Sequence, residues 1–227
     1  MKKFRLLLFI SSLLFTNLLL NSCSKDDDDP EVTTIEHISG TQSSYGNVGA
    51  SAYVAAGAVE GVGAISGTVT ENVNGVSTIN LSGTVTDEFL LTLVANVGGF
   101  TVDGNLVTTP TLKIKATSEG FESIQGFDPG ILIKFDCAEG DTYHTSWGNV
   151  RTVTHKSTTD DYPWNGMNIK VIKVEEPKTS NKDAKTSSGV TKIIYYANHN
   201  WGIVGVEFVF ATGSSIKFPV RLTGAKK

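Results

Sequence analysis

The residues best suited to hold a transition metal are His37, His144, His155 and His199. None stands two or four positions from another, the spacings that put two imidazoles on one face of a strand or helix. Neither His-Glu-x-x-His nor Cys-x-x-Cys occurs, so a zinc site would need ligands from distant strands and no metal is expected. Asp136, Glu139 and Asp141 crowd a glycine-containing loop, but the alternating acids and closing glutamate of a calcium loop are missing, which favours a solvated turn. Asp160-Asp161 is the nearest thing to a glycosidase carboxylate pair, yet sequence neighbours point apart. There is no Gly-x-Ser-x-Gly and no glycine-rich phosphate loop between a strand and a helix. Catalysis is therefore disfavoured, with no catalytic residue and no cofactor assigned.

Aromatic side chains in polar, glycine-bearing segments offer a different chemistry. Tyr143-His144-Thr145-Ser146-Trp147-Gly148-Asn149, Tyr162-Pro163-Trp164-Asn165-Gly166 and His199-Asn200-Trp201-Gly202 all read as loops, and loops carry function disproportionately. A flat exposed ring flanked by amides suits stacking on a sugar. The candidate ligand-facing residues are Tyr143, Trp147, Asn149, Tyr162, Trp164 and Trp201, with Trp147 and Trp164 expected on one surface. The competing expectation is that these tryptophans cap a β-core, each indole N–H bonded to backbone. Cys137, within the apolar run 131–137, reads as a buried structural thiol.

The elements that must position these residues are strands. Short runs rich in Val, Ile, Thr and aromatics, split by Gly, Asn-Gly and Asp-Gly, cover 64–72, 76–86, 89–97, 111–117, 131–137, 150–155, 168–174, 190–197, 203–211 and 215–222. The connections are too short for crossover helices, so an all-β antiparallel fold is expected, either a sandwich or a strongly curved sheet or half-barrel. Ile65-Ser66-Gly67-Thr68-Val69-Thr70-Glu71 returns as Leu81-Ser82-Gly83-Thr84-Val85-Thr86-Asp87, with Asn74-Gly75 between the copies, which suggests a hairpin. A two-residue turn would pair Val69 with Asn80 and separate the apolar sets. A three-residue loop, Val73-Asn74-Gly75, pairs Val69 with Ile79 and Gly67 with Leu81 and is preferred. The polar stretch 175–189 is expected to be a mobile loop.

The chain opens with a cationic stretch, Met1 to Arg5, followed by an apolar run from Leu6 to Leu20. That run is too short to span a bilayer comfortably and has the pattern of a secretory signal over 1–22. Its end, Leu20-Asn21-Ser22-Cys23, resembles the bacterial lipobox. The resemblance implies cleavage before Cys23 and lipidation of its thiol and amine, and two or more acyl chains anchor stably. Ser24, Lys25, Asp26, Asp27, Asp28 and Asp29 form a solvated, self-repelling tether over 23–31. This stretch also resembles the acidic surface-export signal of Bacteroidota lipoproteins, implying an outer-membrane protein facing outward. The strand ending Ile193-Ile194-Tyr195-Tyr196-Ala197, followed by Gly202-Ile203-Val204-Gly205-Val206, resembles uncharacterised secreted lipoproteins of the same bacteria. Some relatives of those are half-barrels like the lipoprotein carriers.

Loss of residues 1–22 removes Lys2, Lys3 and Arg5 and no acid, taking the net charge from −4 to −7. Nucleic acid is not an expected partner of so acidic a chain. Cys137 is then the only thiol besides Cys23, so residues 32–227 must be held by their core as a single domain. The expected function is a surface lipoprotein, bound to the membrane by its lipid, acting as a non-catalytic binding module for a glycan or partner protein. A carrier of lipid or another hydrophobe is the second expectation, to be recognised by a contiguous apolar concave face, and a secreted hydrolase the third.

Overall fold

The computed structural model describes residues 34–96, 100–109, 111–178 and 189–224. The chain divides into two units, Met1–Thr33 and Thr34–Lys227. The expected signal over 1–22, Cys23 and the rest of the expected tether to residue 31 lie outside the described residues, as do residues 179–188 of the expected mobile loop.

The chain forms β1 (Ser51–Val54), β2 (Val62–Val73), β3 (Val76–Val85), α1 (Glu88–Asn96), β4 (Thr101–Asp103), β5 (Leu106–Thr108), β6 (Leu112–Thr117), β7 (Gly120–Gln125) and β8 (Gly130–Lys134). There follow β9 (Thr142–His144), β10 (Val150–Lys156), β11 (Tyr162–Trp164), β12 (Met167–Ile169) and β13 (Ile172–Pro177). The last strands are β14 (Val190–Asn198), β15 (Gly202–Phe210), β16 (Ser215–Pro219) and β17 (Arg221–Thr223). A nine-stranded sheet has the order β17-β1-β2-β3-β6-β7-β8, with β5 beside β3 and β4 beside β5. A six-stranded sheet has the order β16-β15-β14-β13-β10-β9, and β11-β12 form a separate hairpin. The fold is all-β and antiparallel, with the strong curl of a half-barrel. The run expected over 215–222 breaks at Val220, where the chain passes from one sheet to the other; its N–H donates to the Val204 carbonyl at 3.0 Å.

The internal repeat explains the pairing of β2 with β3. Gly67 stands opposite Leu81 and Gly83 opposite Ile65, so each copy's glycine faces the large residue opening the other copy. A Cβ on Gly67 would lie 2.4 Å from Leu81 Cδ2, and one on Gly83 would lie 2.7 Å from Ile65 Cγ1. The expected pairing of Val69 with Ile79 holds, but the extra residue is not in the turn. Val73 pairs with Val76, and Asn74 and Gly75 both take positive φ, 51° and 81°, as a two-residue type I′ turn requires. The register shift falls instead between Val69 and Glu71, a β-bulge at Thr70.

One expected strand is a helix. Asp87 accepts the Leu90 N–H at 2.8 Å through its side chain, an N-cap that starts α1 where 89–97 reads as an apolar run. Leu90 and Leu93 turn inward with Val62, Val85 and Phe210. The expected loop over 175–189 also begins too early, because β13 continues through Pro177. Glu175 points outward to Lys173 and Lys192, whereas Glu176 points inward and is fully buried.

Inside, Glu176 meets Arg151, also fully buried, with Nε to Oε2 at 2.7 Å. The Arg151 guanidinium also donates to the carbonyls of Ile131 (2.9 Å) and Asp128 (2.7 Å), tying β10 of one sheet to the β8 end of the other. Tyr195 donates to Glu176 at 3.2 Å, and Lys178 pairs with its other oxygen. Burial alone would raise the Glu176 carboxyl, but the two cations hold it below the ordinary carboxylate range.

Candidate functional site

The two sheets do not fill the space between them. The glycines of the repeat face inward, and opposite them β15 and β16 present Val206, Phe208 and Phe218. The result is two adjoining apolar pockets, the two lobes of the interior, each partly open to the surface. One, of about 170 Å³, is bordered by Leu90, Leu93 and Val94 of α1. The other, of about 150 Å³, lies against Val69, Ile79, Ile114 and Phe121. Leu81, Phe127, Val206 and Val220 line both lobes. Among the described lining residues Tyr45 is the only ionisable side chain, and the hydroxyls are those of Ser82 in the first lobe and of Tyr45, Ser51 and Ser77 in the second. Such a lining offers mainly dispersion contacts to a bound molecule.

The six sequence-nominated residues do not form one surface. Tyr143 is in β9 and buried in the main core, its hydroxyl pKa pushed up by burial. Asn149 is buried and donates to Asp128 Oδ2 at 2.7 Å. Asp128, itself buried, also accepts from Thr145 Oγ1 (2.7 Å) and the Trp147 N–H (3.1 Å). That carboxylate fixes the turn on whose tip Trp147 is 61% exposed, so Asn149 supports the turn rather than facing a ligand. Trp164 is only 8% exposed: it lies in β11, packs on Ile194, Tyr196 and Val204, and donates from Nε1 to the Val220 carbonyl at 3.2 Å. The expectation that it shares an exposed surface with Trp147 fails, because the hairpin folds flat against the outer face of the six-stranded sheet. Tyr162 is part of that packing, stacked on Tyr196 with centroids 5.2 Å apart and Lys217 over both rings. Burial pushes its hydroxyl up to about 12. Trp201 remains 39% exposed and lies against Trp164, centroids 5.2 Å apart.

The histidines stay apart, and among the described residues no group of three or more His, Cys, Asp or Glu is placed to hold a metal. The Cys137 thiol is buried, and burial raises its pKa away from the reactive thiolate. One serine does approach a histidine and an acid. Ser157 Oγ lies 3.3 Å from His155 Nε2, and His155 Nδ1 lies 3.2 Å from Glu139. The hydroxyl, however, donates to Asp161 at 2.7 Å, and the Ser157 backbone N–H donates to Val171. These contacts tie the end of β10 to the residue that precedes β11.

The fold and its interior define a class: an antiparallel β-protein of curved sheets with partly open apolar pockets between them. Comparison with family models, with curated proteins and with solved structures found no match for this chain.

Proposed function

We propose that this chain is a lipid-anchored protein of the outer cell surface whose β-domain holds an apolar ligand between its sheets. The observation that carries the reading is the two-lobed cavity and its apolar lining. A dry cavity of about 150 Å³ accepts a benzene-sized molecule, so each lobe alone suits a small apolar group. A single acyl chain or a similarly slender hydrophobe passing Leu81, Phe127, Val206 and Val220 would use both lobes. The role proposed for the interior is to hold such a ligand, which its mostly apolar lining supports. Support for the anchor comes from Leu20-Asn21-Ser22-Cys23, and for the outward address from the run Asp26 to Asp29.

Titration with N-phenyl-1-naphthylamine, a neutral dye that brightens in apolar surroundings, tests the cavity. Binding should saturate at one dye per chain and be reversed by palmitic acid. Val206→Phe, which puts a ring where the lobes meet, should weaken binding at least about tenfold, ~1.4 kcal/mol, without lowering the melting temperature. Unsaturable binding, or equal binding by the variant, would count against the reading.

A further inference from the structure

We propose that the β11–β12 hairpin and Trp201 form a second, solvent-facing site, for a neutral glycan. The site is separate from the interior cavity and shares no lining residue with it. A shallow, solvent-open cleft is lined by Pro163, Trp164, Asn165, Gly166, Met167 and Asn168, all of this one hairpin. Beside it Trp201 presents a partly exposed indole supported by the buried ring of Trp164, which lines the cleft. An aromatic face braced in this way is available to the C–H face of a pyranose without rearrangement.

Both halves are held in place before any ligand arrives. Asn198 Oδ1 accepts the N–H groups of Asn200 (2.7 Å) and Trp201 (3.3 Å), while its amide donates to the Lys170 carbonyl at 2.6 Å. Tyr45 donates to the Asn200 carbonyl at 2.5 Å. In the hairpin itself, Asn165 (φ 49°) and Gly166 (φ 82°) form a tight turn. The Asn165 and Asn168 side chains are exposed and hydrogen-bond no described residue, which leaves two amides to donate to and accept from hydroxyls. Every lining residue is uncharged, which suits a neutral polyhydroxyl ligand and not a phosphate or carboxylate. Preorganised sites avoid much of the ordering cost of binding.

The test is calorimetric titration, with tryptophan emission recorded in parallel, of short neutral oligosaccharides of glucose, xylose, mannose and N-acetylglucosamine. At least one should bind and shift the emission. Trp201→Ala should weaken it at least about tenfold, Trp201→Phe should keep part of the affinity, and Asn168→Ala should weaken it with an unchanged melting temperature. Asn168 is exposed, so it reports on the site even if Trp201→Ala melts early. Absence of binding across the panel, or affinity indifferent to both Trp201→Ala and Asn168→Ala, overturns the proposal. Binding of the naphthylamine dye would be untouched by either variant, which keeps the two sites distinguishable.

Discussion

Glu176→Gln removes one negative charge from a place water does not reach. Arg151 keeps its hydrogen bonds to the Ile131 and Asp128 carbonyls, but its fully buried guanidinium loses its counter-ion. Removing one partner of a buried pair costs ~3–5 kcal/mol, mostly the penalty of the charge left behind. For a domain of this size each kcal/mol is worth ~2–4 °C, so melting should fall on the order of 10 °C. The control is the adjacent residue. Glu175 faces outward to Lys173 and Lys192, and Glu175→Gln should cost no more than about 1 kcal/mol. Urea and thermal unfolding of the chain from residue 24 measure both. Because the Glu176 carboxyl lies below its ordinary value of 4.5 when folded, the pair's contribution is complete above about pH 4.5 and fades as pH falls through the folded pKa. That acid sensitivity should shrink in Glu176→Gln. Equal costs for Glu175→Gln and Glu176→Gln would refute the assignment of Arg151 and Glu176 as the tie between the sheets.

Cys23→Ala should abolish incorporation of labelled palmitate and detergent partitioning; retention of either contradicts lipidation at Cys23. Replacing Asp26, Asp27, Asp28 and Asp29 by Ala should preserve lipidation but protect the protein from protease added to intact cells, and equal shaving would reduce the run to a spacer. Trp147→Ala, at an exposed turn tip, should cost less than about 1 kcal/mol. Trp164→Ala, which empties the packing under the hairpin and frees the Val220 carbonyl, should cost roughly 3–5 kcal/mol; similar unfolding midpoints for the two variants would reverse their roles.

Most of the longer strands and their antiparallel pairing were legible because β-branched runs alternate between glycine-bearing turns, and even the Val69–Ile79 register followed from the apolar pattern. The short strands β1, β4, β5, β7, β9 and β11 were not, and the run 168–174 proved to be two strands, β12 and β13. The position of the bulge was not legible either, since a slip at the turn and a slip at Thr70 give the same downstream pairing. A run such as Phe-Leu-Leu-Thr-Leu-Val has no periodicity to separate helix from strand, and only the preceding Asp87 marked the helix start. Trp164 misled because its neighbours are polar: the hairpin's outer edge is wet while its inner edge packs on a sheet distant in sequence. Arg151 and Glu176 left no trace, as their pairing spans two strands and the acidic run around Glu176 reads as solvated. The cavity is a product of facing glycines and unfilled space, which composition does not reveal.

The occupancy of that space is most directly measured with a heavy-atom label. Crystals of the chain from residue 24 grown with excess bromine-labelled fatty acid should show an anomalous bromine peak between the sheets, bounded by Leu81, Phe127, Val206 and Val220. An interior without bromine, or bromine bound on the outer surface alone, would contradict a ligand held between the sheets.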